Sequence, residues 1–249
     1  MSAVEVAGSL AEVRANEFPI VAHCTYLDCA SEGPLPNRTV ATIRDVADAA
    51  QLPHLPQSKA LPNYEQLART RLARLIGADE DDIVFTSNTT HGTNIAAQGI
   101  AYRPGDNVVV PEPEFPSLVF AFAHLAKRGV EVRFVAYEGA GPSIAAIMAR
   151  VDGRTRAVAC SGIMWNTGYR HDLEGLGEGC ARRGCLLLVD GVQVVGARTI
   201  DVKAAKISTL ATHGYKWLLS GFGIAALYVS PNALEQISPV VVGKQSFAT

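Results

Sequence analysis

Residues 185–193 read CLLLVDGVQ, an apolar run that stops at Asp190 with Gln193 three positions on. A strand that is apolar on both faces belongs inside a sheet covered on both sides. An acidic side chain at its carboxyl end faces the crevice where open α/β sheets take ligands. Read alone, Asp190 fits a turn or helix-capping residue equally well, since Asp is frequent wherever a strand stops.

The same pattern continues outward from this run. Upstream lie IVFTS (83–87), NVVVPEPE (107–114), VEVRFVAY (130–137) and AVACS (157–161); downstream lie ISTLATHG (207–214) and GIAALYVS (223–230). Between them SLVFAFAHLAKRG, SIAAIMARV and DLEGLGEGCARRG read as helices. Short β-rich runs alternating with helices predict an α/β fold, three layers (α/β/α) around a mostly parallel central sheet. Ahead of this block, NRTVATIRDVADAAQ (37–51) puts Val40, Ile43, Val46, Ala47 and Ala50 on one helical face behind Asn37 as N-cap. A second helix starts near Asn63, with Gln66 at a capping-box position, and stops at Gly77. The expected organisation is an N-terminal arm and helix over 1–60, a large domain over 61–238, and the start of a connection over 239–249.

Composition narrows the function classes. A chain of 249 residues can bury a substantial core. Its 22 Lys and Arg against 24 Asp and Glu give a net charge of −2 with no block of like charge, which argues against nucleic acid or an anionic membrane surface as partner. The opening MSAVEVAGSLAEVRANEFP has no basic-then-apolar signal pattern, and no later stretch offers about 18 uninterrupted apolar residues, so neither export nor membrane spanning is expected. The five cysteines, Cys24, Cys29, Cys160, Cys180 and Cys185, show no C-x-x-C pair and no zinc spacing. No metal site and a reduced, cytoplasmic chain are the expectation.

Three further stretches follow strands and carry chemistry. In ATHGYKWLL (211–219), Lys216 sits beside Tyr215, Trp217, Leu218 and Leu219. Apolar surroundings depress a lysine's pKa, as a Schiff-base amine requires, although a snorkelling lysine on a partly buried helix would show the same neighbours. In TSNTTHGTN (86–94), free N–H groups at a helix start with the hydroxyls of Thr89 and Thr90 suit a phosphate monoester, the other reading being Thr as an ordinary N-cap. In PEPEFPS (111–117), Phe115 at a strand end can cover a flat ring or simply fill the core. Taken together these pieces fit pyridoxal 5′-phosphate: lysine for its aldehyde, aspartate for its pyridine nitrogen, the helix start for its phosphate and the aromatic for its face. A nucleotide is disfavoured, because TSNTTHG is neither a P-loop nor a G-x-G-x-x-G turn.

YLDCAS (26–31), FTSNTTHGTN (85–94), GDNVVVPEPEFPS (105–117), TGYRHDLEGLGEGC (167–180), LLLVDGVQVVG (186–196) and ATHGYKWLLSGFGIAALYVSP (211–231) occur in this order. The chain thereby resembles the class V aminotransferase family of fold-type I pyridoxal phosphate enzymes, in particular its isopenicillin N epimerase-like and cysteine desulfurase-like branch. The resemblance implies Lys216 as the Schiff-base lysine, Asp190 on the pyridine nitrogen and Gln193 on the phenolic oxygen. It implies Phe115 at the ring-stacking position that many relatives fill with histidine, and Thr89 and Thr90 as the phosphate pair. His213 and Tyr215 stand at two further phosphate positions, where relatives often carry Ser and His. His91 stands where Glu is common, and Met164 with Trp165 replaces a polar Gln or Asn. The implied substrate is an amino acid whose amine displaces Lys216, which then acts as base at the α-carbon. Transamination, epimerisation and carbon–sulfur lysis all share that opening. A homodimer is implied as well. The run ISPVVVGKQSFAT (237–249) resembles the stretch leading into a smaller C-terminal domain that supplies an arginine for the substrate carboxylate. That small domain is expected to be absent from this chain, which leaves a second expectation: a non-catalytic or partner-completed pyridoxal-phosphate-binding protein.

Overall fold

The computed structural model describes residues 9–137, 139–243 and 246. The extreme N-terminus and part of the expected connection over 239–249 lie outside the described residues. The helices are α1 (Leu10–Glu17), α2 (Asn37–Gln51), α3 (Pro56–Lys59), α4 (Tyr64–Ile76), α5 (Thr89–Gly99), α6 (Pro116–Ala123), α7 (Ile144–Met148), α8 (Leu173–Arg183) and α9 (Pro231–Leu234). The strands are β1 (Ile83–Thr86), β2 (Asn107–Glu112), β3 (Glu131–Ala136), β4 (Thr155–Ser161), β5 (Leu186–Asp190), β6 (Thr209–His213) and β7 (Ala225–Val229). The chain divides into two compact units, one of residues 1–68 with 214–222, the other of 69–213 with 223–249.

The second unit holds the sheet, in the order β1-β7-β6-β5-β4-β2-β3. The pairs β2–β3, β2–β4, β4–β5 and β5–β6 are parallel, whereas β7 runs antiparallel to both β6 and β1. Two reversals restore direction, so β1 points the same way as the parallel set and its carboxyl end lies along the same sheet edge. β5 is buried at every position. Its even residues Leu186 and Leu188 join a cluster with Val108, Val110, Ala157 and Phe122 of α6. Full burial of each such leucine contributes about 1.5–3 kcal/mol. Between them Leu187 points to the opposite face, and α8 packs against β5. Gly92 lets the first turn of α5 lie against the sheet: a Cβ there would stand 3.3 Å from the Ala211 Cβ. This is the expected three-layer α/β/α arrangement around a mostly parallel sheet.

The first unit is built differently. Ser9 and Glu12 form a capping box on α1, with the Ser9 N–H donating to Glu12 Oε2 at 2.6 Å and the Glu12 N–H to Ser9 Oγ at 3.3 Å. An Arg38–Glu17 ion pair of 2.9 Å links α2 to α1. Asn37 was expected to cap α2. Instead Pro36 occupies the N-cap in extended backbone and Asn37 is the first helical residue, its amide donating to the Asn16 carbonyl at 2.7 Å. The side chain thus satisfies a carbonyl near the end of α1 rather than an N–H of α2. Asn63 behaves as expected, its Oδ1 accepting from the Gln66 N–H at 3.0 Å, and α4 continues into residues of the second unit, where Gly77 takes the left-handed φ of +72° that ends it.

Candidate active site

The common carboxyl edge of β1, β2, β4, β5 and β6 is where this sheet turns polar. Glu114, Ser161, Asp190 and His213 are all buried there. The β4–β5 register sets Ser161 beside Asp190, and the β5–β6 register sets Asp190 beside Ala211. Asp190 ends its strand as expected. Its Oδ1 accepts from the Val192 N–H at 2.9 Å, and its carbonyl accepts from the Gly162 N–H at 2.8 Å. Gln193 is also buried, in the turn that follows.

This edge carries a second buried acid, one that nothing local in the sequence singles out. Glu114 accepts from the Ser161 N–H at 2.5 Å, from the Ser161 hydroxyl at 2.7 Å and from the Phe115 N–H at 2.7 Å. Burial pushes its carboxyl above the usual range, against the downward pull of these three donors. The Cys160 thiol is pushed up by burial and by the charges of Glu114 and Asp190.

At the start of α5 the cap is Asn88, whose Oδ1 accepts from the His91 N–H at 2.8 Å. Neither threonine is spent on capping. Thr90 Oγ1 donates to Ser117 Oγ at 3.0 Å, while Thr89 Oγ1 is buried with no hydrogen-bond partner among the described residues. An unsatisfied buried hydroxyl costs about 1–3 kcal/mol. An acceptor oxygen of a bound anion would remove that cost, at a helix start whose dipole and free N–H groups already favour negative charge. The donor set therefore fits a phosphate. His91 is exposed, with Nδ1 3.3 Å from Ser87 Oγ.

Phe115 is no core aromatic. It is 38% exposed and meets the half-exposed Trp165 edge-on, ring centroids 5.9 Å apart, while Met164 is buried. Nearby in sequence, Tyr169 and His171 close a hairpin-like loop, with the His171 N–H donating to the Gly162 carbonyl at 3.1 Å. His171 packs edge-on against Tyr169, centroids 5.0 Å apart, and its Nε2 is 3.4 Å from the Tyr137 hydroxyl. Burial pushes His171 down to about 4, so its ring is neutral at pH 7. This trio, too, escaped the sequence reading.

Thr89, Thr90, Phe115, Asp190, Gln193 and His213 thus all belong to the second unit. Lys216 and Tyr215 belong to the first, three and two residues beyond His213 along the chain. Lys216 is half-buried in a turn, not on a helix. Tyr215 stacks on Phe222 with centroids 4.4 Å apart, and its carbonyl accepts from the Gly33 N–H at 2.8 Å. Gly33 packs so tightly that a Cβ there would overlap the Lys216 carbonyl oxygen. Among the described residues no helix is long and apolar enough to cross a membrane.

The family model for aminotransferase class-V matches residues 25–249. A probable cysteine desulfurase of Methanothermobacter thermautotrophicus is 33% identical over 234 residues, 92% of this chain and 58% of that relative. Two solved structures of C-DES superpose well. One, a lysine-to-alanine mutant with glycine covalently linked to its PLP cofactor, has a TM-score of 0.85 at 26% identity, covering 92% of this chain and 62% of that one. The other, the cystine C–S lyase with its product cysteine persulfide, has a TM-score of 0.83 at 27% identity, covering 91% and 62%. The chain therefore spans about three-fifths of the length of these relatives.

Proposed function

This chain belongs to the aminotransferase class-V family, and from that premise we propose that it is a pyridoxal-phosphate-dependent enzyme that cleaves a carbon–sulfur bond of an amino acid. The observation that carries the cofactor is the buried Thr89 hydroxyl without a partner at the start of α5. The names of the relatives favour carbon–sulfur lysis over transamination or epimerisation. Bound pyridoxal phosphate supplies an electron sink for charge developing at the substrate's α-carbon.

The chain's own residues do the rest. Asp190 would hold a proton on the ring nitrogen, its burial limiting the screening of that charge pair by water. Gln193 would orient the phenolic oxygen. Thr89 would donate its hydroxyl to the phosphate alongside the first N–H groups of α5, with Thr90, His213 and Tyr215 as further phosphate-holding residues. Phe115 would cover one face of the ring and, having no ionisable group, would shield it without moving a proton. Lys216 would hold the cofactor through its aldehyde, and its amine is the group on this chain suited to take a proton from a substrate's α-carbon. A homodimer in the cytoplasm completes the reading. The family resemblance supports the dimer, sedimentation tests it, and the free cysteines are compatible with a reducing compartment.

The test is reconstitution with pyridoxal phosphate, followed by borohydride reduction and peptide mapping. The expected result is a visible absorption band and a reduced adduct on Lys216. Lys216→Ala loses both, and Thr89→Val weakens cofactor affinity roughly 5- to 30-fold. A colourless protein at saturating cofactor would refute the proposal. With the band in place, cystine should yield persulfide, whereas conversion of amino acids without sulfur release would reassign the reaction.

A further inference from the structure

At the opposite end of β5 from Asp190, helix α8 stops in a turn with a defined hydrogen-bond pattern. The Cys185 N–H donates to the Cys180 carbonyl at 3.2 Å and the Gly184 N–H to the Ala181 carbonyl at 3.3 Å. Gly184 sits at φ +68°. These are the paired 6→1 and 5→2 bonds of a Schellman motif with glycine in the left-handed position. The motif brings two side chains into contact, those of the residues that here are Cys180 and Cys185. Ordinarily that contact is apolar. In this chain it brings two cysteines together, with the Cys185 thiol donating to the Cys180 carbonyl at 3.7 Å.

Both cysteines are nearly inaccessible from the outer surface, yet both line a cavity of about 530 Å³ together with Lys203, Lys206 and Tyr228. A small neutral molecule can reach them by that route while a bulky thiol reagent is impeded. We propose that Cys180 and Cys185 form a dithiol site that a small peroxide closes to an intrachain disulfide. The site lies at the strand edge away from the candidate active site, and nothing in the cofactor reading depends on it.

Cys185 is the attacking sulfur. It is the more exposed of the two, 7% against 2%, and the neighbouring Cys180 thiol with the charge of Arg183 pulls its pKa down while Cys180 is pushed up by the same neighbour and by burial. The Cys185 thiolate attacks one peroxide oxygen, the O–O bond breaks, and Cys185 becomes a sulfenic acid as hydroxide leaves and takes up a proton to give water. Cys180 sulfur then attacks Cys185 sulfur, the S–O bond breaks, and a second water carries away the Cys180 proton. The two thiols lose two electrons and two protons in all, and the peroxide is reduced to two waters.

The test uses the full chain with the more accessible thiols removed by Cys24→Ser and Cys29→Ser. Hydrogen peroxide is added to the folded protein, excess is quenched, and the chain is unfolded, alkylated and mapped by mass spectrometry, with and without pyridoxal phosphate. The expected result is that Cys160 alkylates while Cys180 and Cys185 do not, their linked peptides being lighter by two hydrogens, about 2 Da. Dithiothreitol should restore both labels. In a Cys180→Ser chain, Cys185 should stop at the sulfenic acid, trapped by a dimedone probe, and Cys185→Ser should leave Cys180 as free thiol. Free alkylation of both cysteines after peroxide, a bond from either one to Cys160, or separate over-oxidation without a link would each overturn the proposal. The decisive readout keeps both cysteines intact, so misfolding of a serine variant does not blur it.

Discussion

Helices α2 and α5 differ in what their periodicity achieves. α2 runs for 15 residues and buries none of them, with Ile43 and Val46 respectively 48% and 42% exposed. α5 runs for 11 and buries Thr89, Gly92, Thr93, Ala96, Ala97 and Gly99. The α2 sequence is the more clearly amphipathic of the two, yet α5 is the one built into a core. An apolar stripe is enough to specify a helix, whereas burial depends on a partner surface, and small residues such as Gly92 and Ala96 let a helix lie close to a sheet.

The contrast can be broken by mutation. Leu187→Ala, at a fully buried position of β5, should cost about 2–5 kcal/mol in chemical denaturation. A loss well under 1 kcal/mol would mean that the second unit is as loosely packed as α2.

Acid should also separate the two units. His171, buried in the second, has a folded-state value of about 4 against an ordinary 6.5, while His23 and His54 of the first are exposed. Above pH 6.5 the ring is neutral in both folded and unfolded chains. As pH falls from 6.5 towards 4, only the unfolded chain takes the proton, so stability drops by up to about 3 kcal/mol and this contribution then levels off. Denaturation at pH 7 and pH 4.5 should therefore give a smaller pH-dependent loss in His171→Phe than in the parent chain. Equal losses would show that His171 is not held neutral.

The smallest effect is expected at α2 itself. Ile43→Ala should change stability by less than about 0.5 kcal/mol, since its side chain is already half in water. A cost of 2 kcal/mol or more in the same titration would mean that the α2 face is covered in solution.

Much of this was readable from the chain. CLLLVDGVQ marked a buried strand ending in Asp190, and the strand and helix runs fall where their composition put them. That neither Thr89 nor Thr90 caps α5 is visible only in the fold, where Asn88 does the capping and Thr89 Oγ1 is buried with no described partner. That Phe115 does not fill the core is likewise a tertiary fact, seen in its exposure beside Trp165. Glu114 and His171 were not picked out, because what distinguishes them is burial among distant partners. Nothing local to PEPEFPS announces that Glu114 will meet Ser161, 47 residues on.

The division between the two levels follows the range of the interactions. The sequence by itself determined what a few neighbouring residues can settle: which segments are strands and helices, and that the strand LLLV ends on Asp190. Only the tertiary structure decided the strand order that sets β4 between β2 and β5 and so brings Glu114, Ser161 and Asp190 to one edge. Backbone hydrogen bonding within a strand pair is nearly indifferent to which strand is the neighbour. That selection is made by side-chain packing on both faces of the sheet, which no single segment contains.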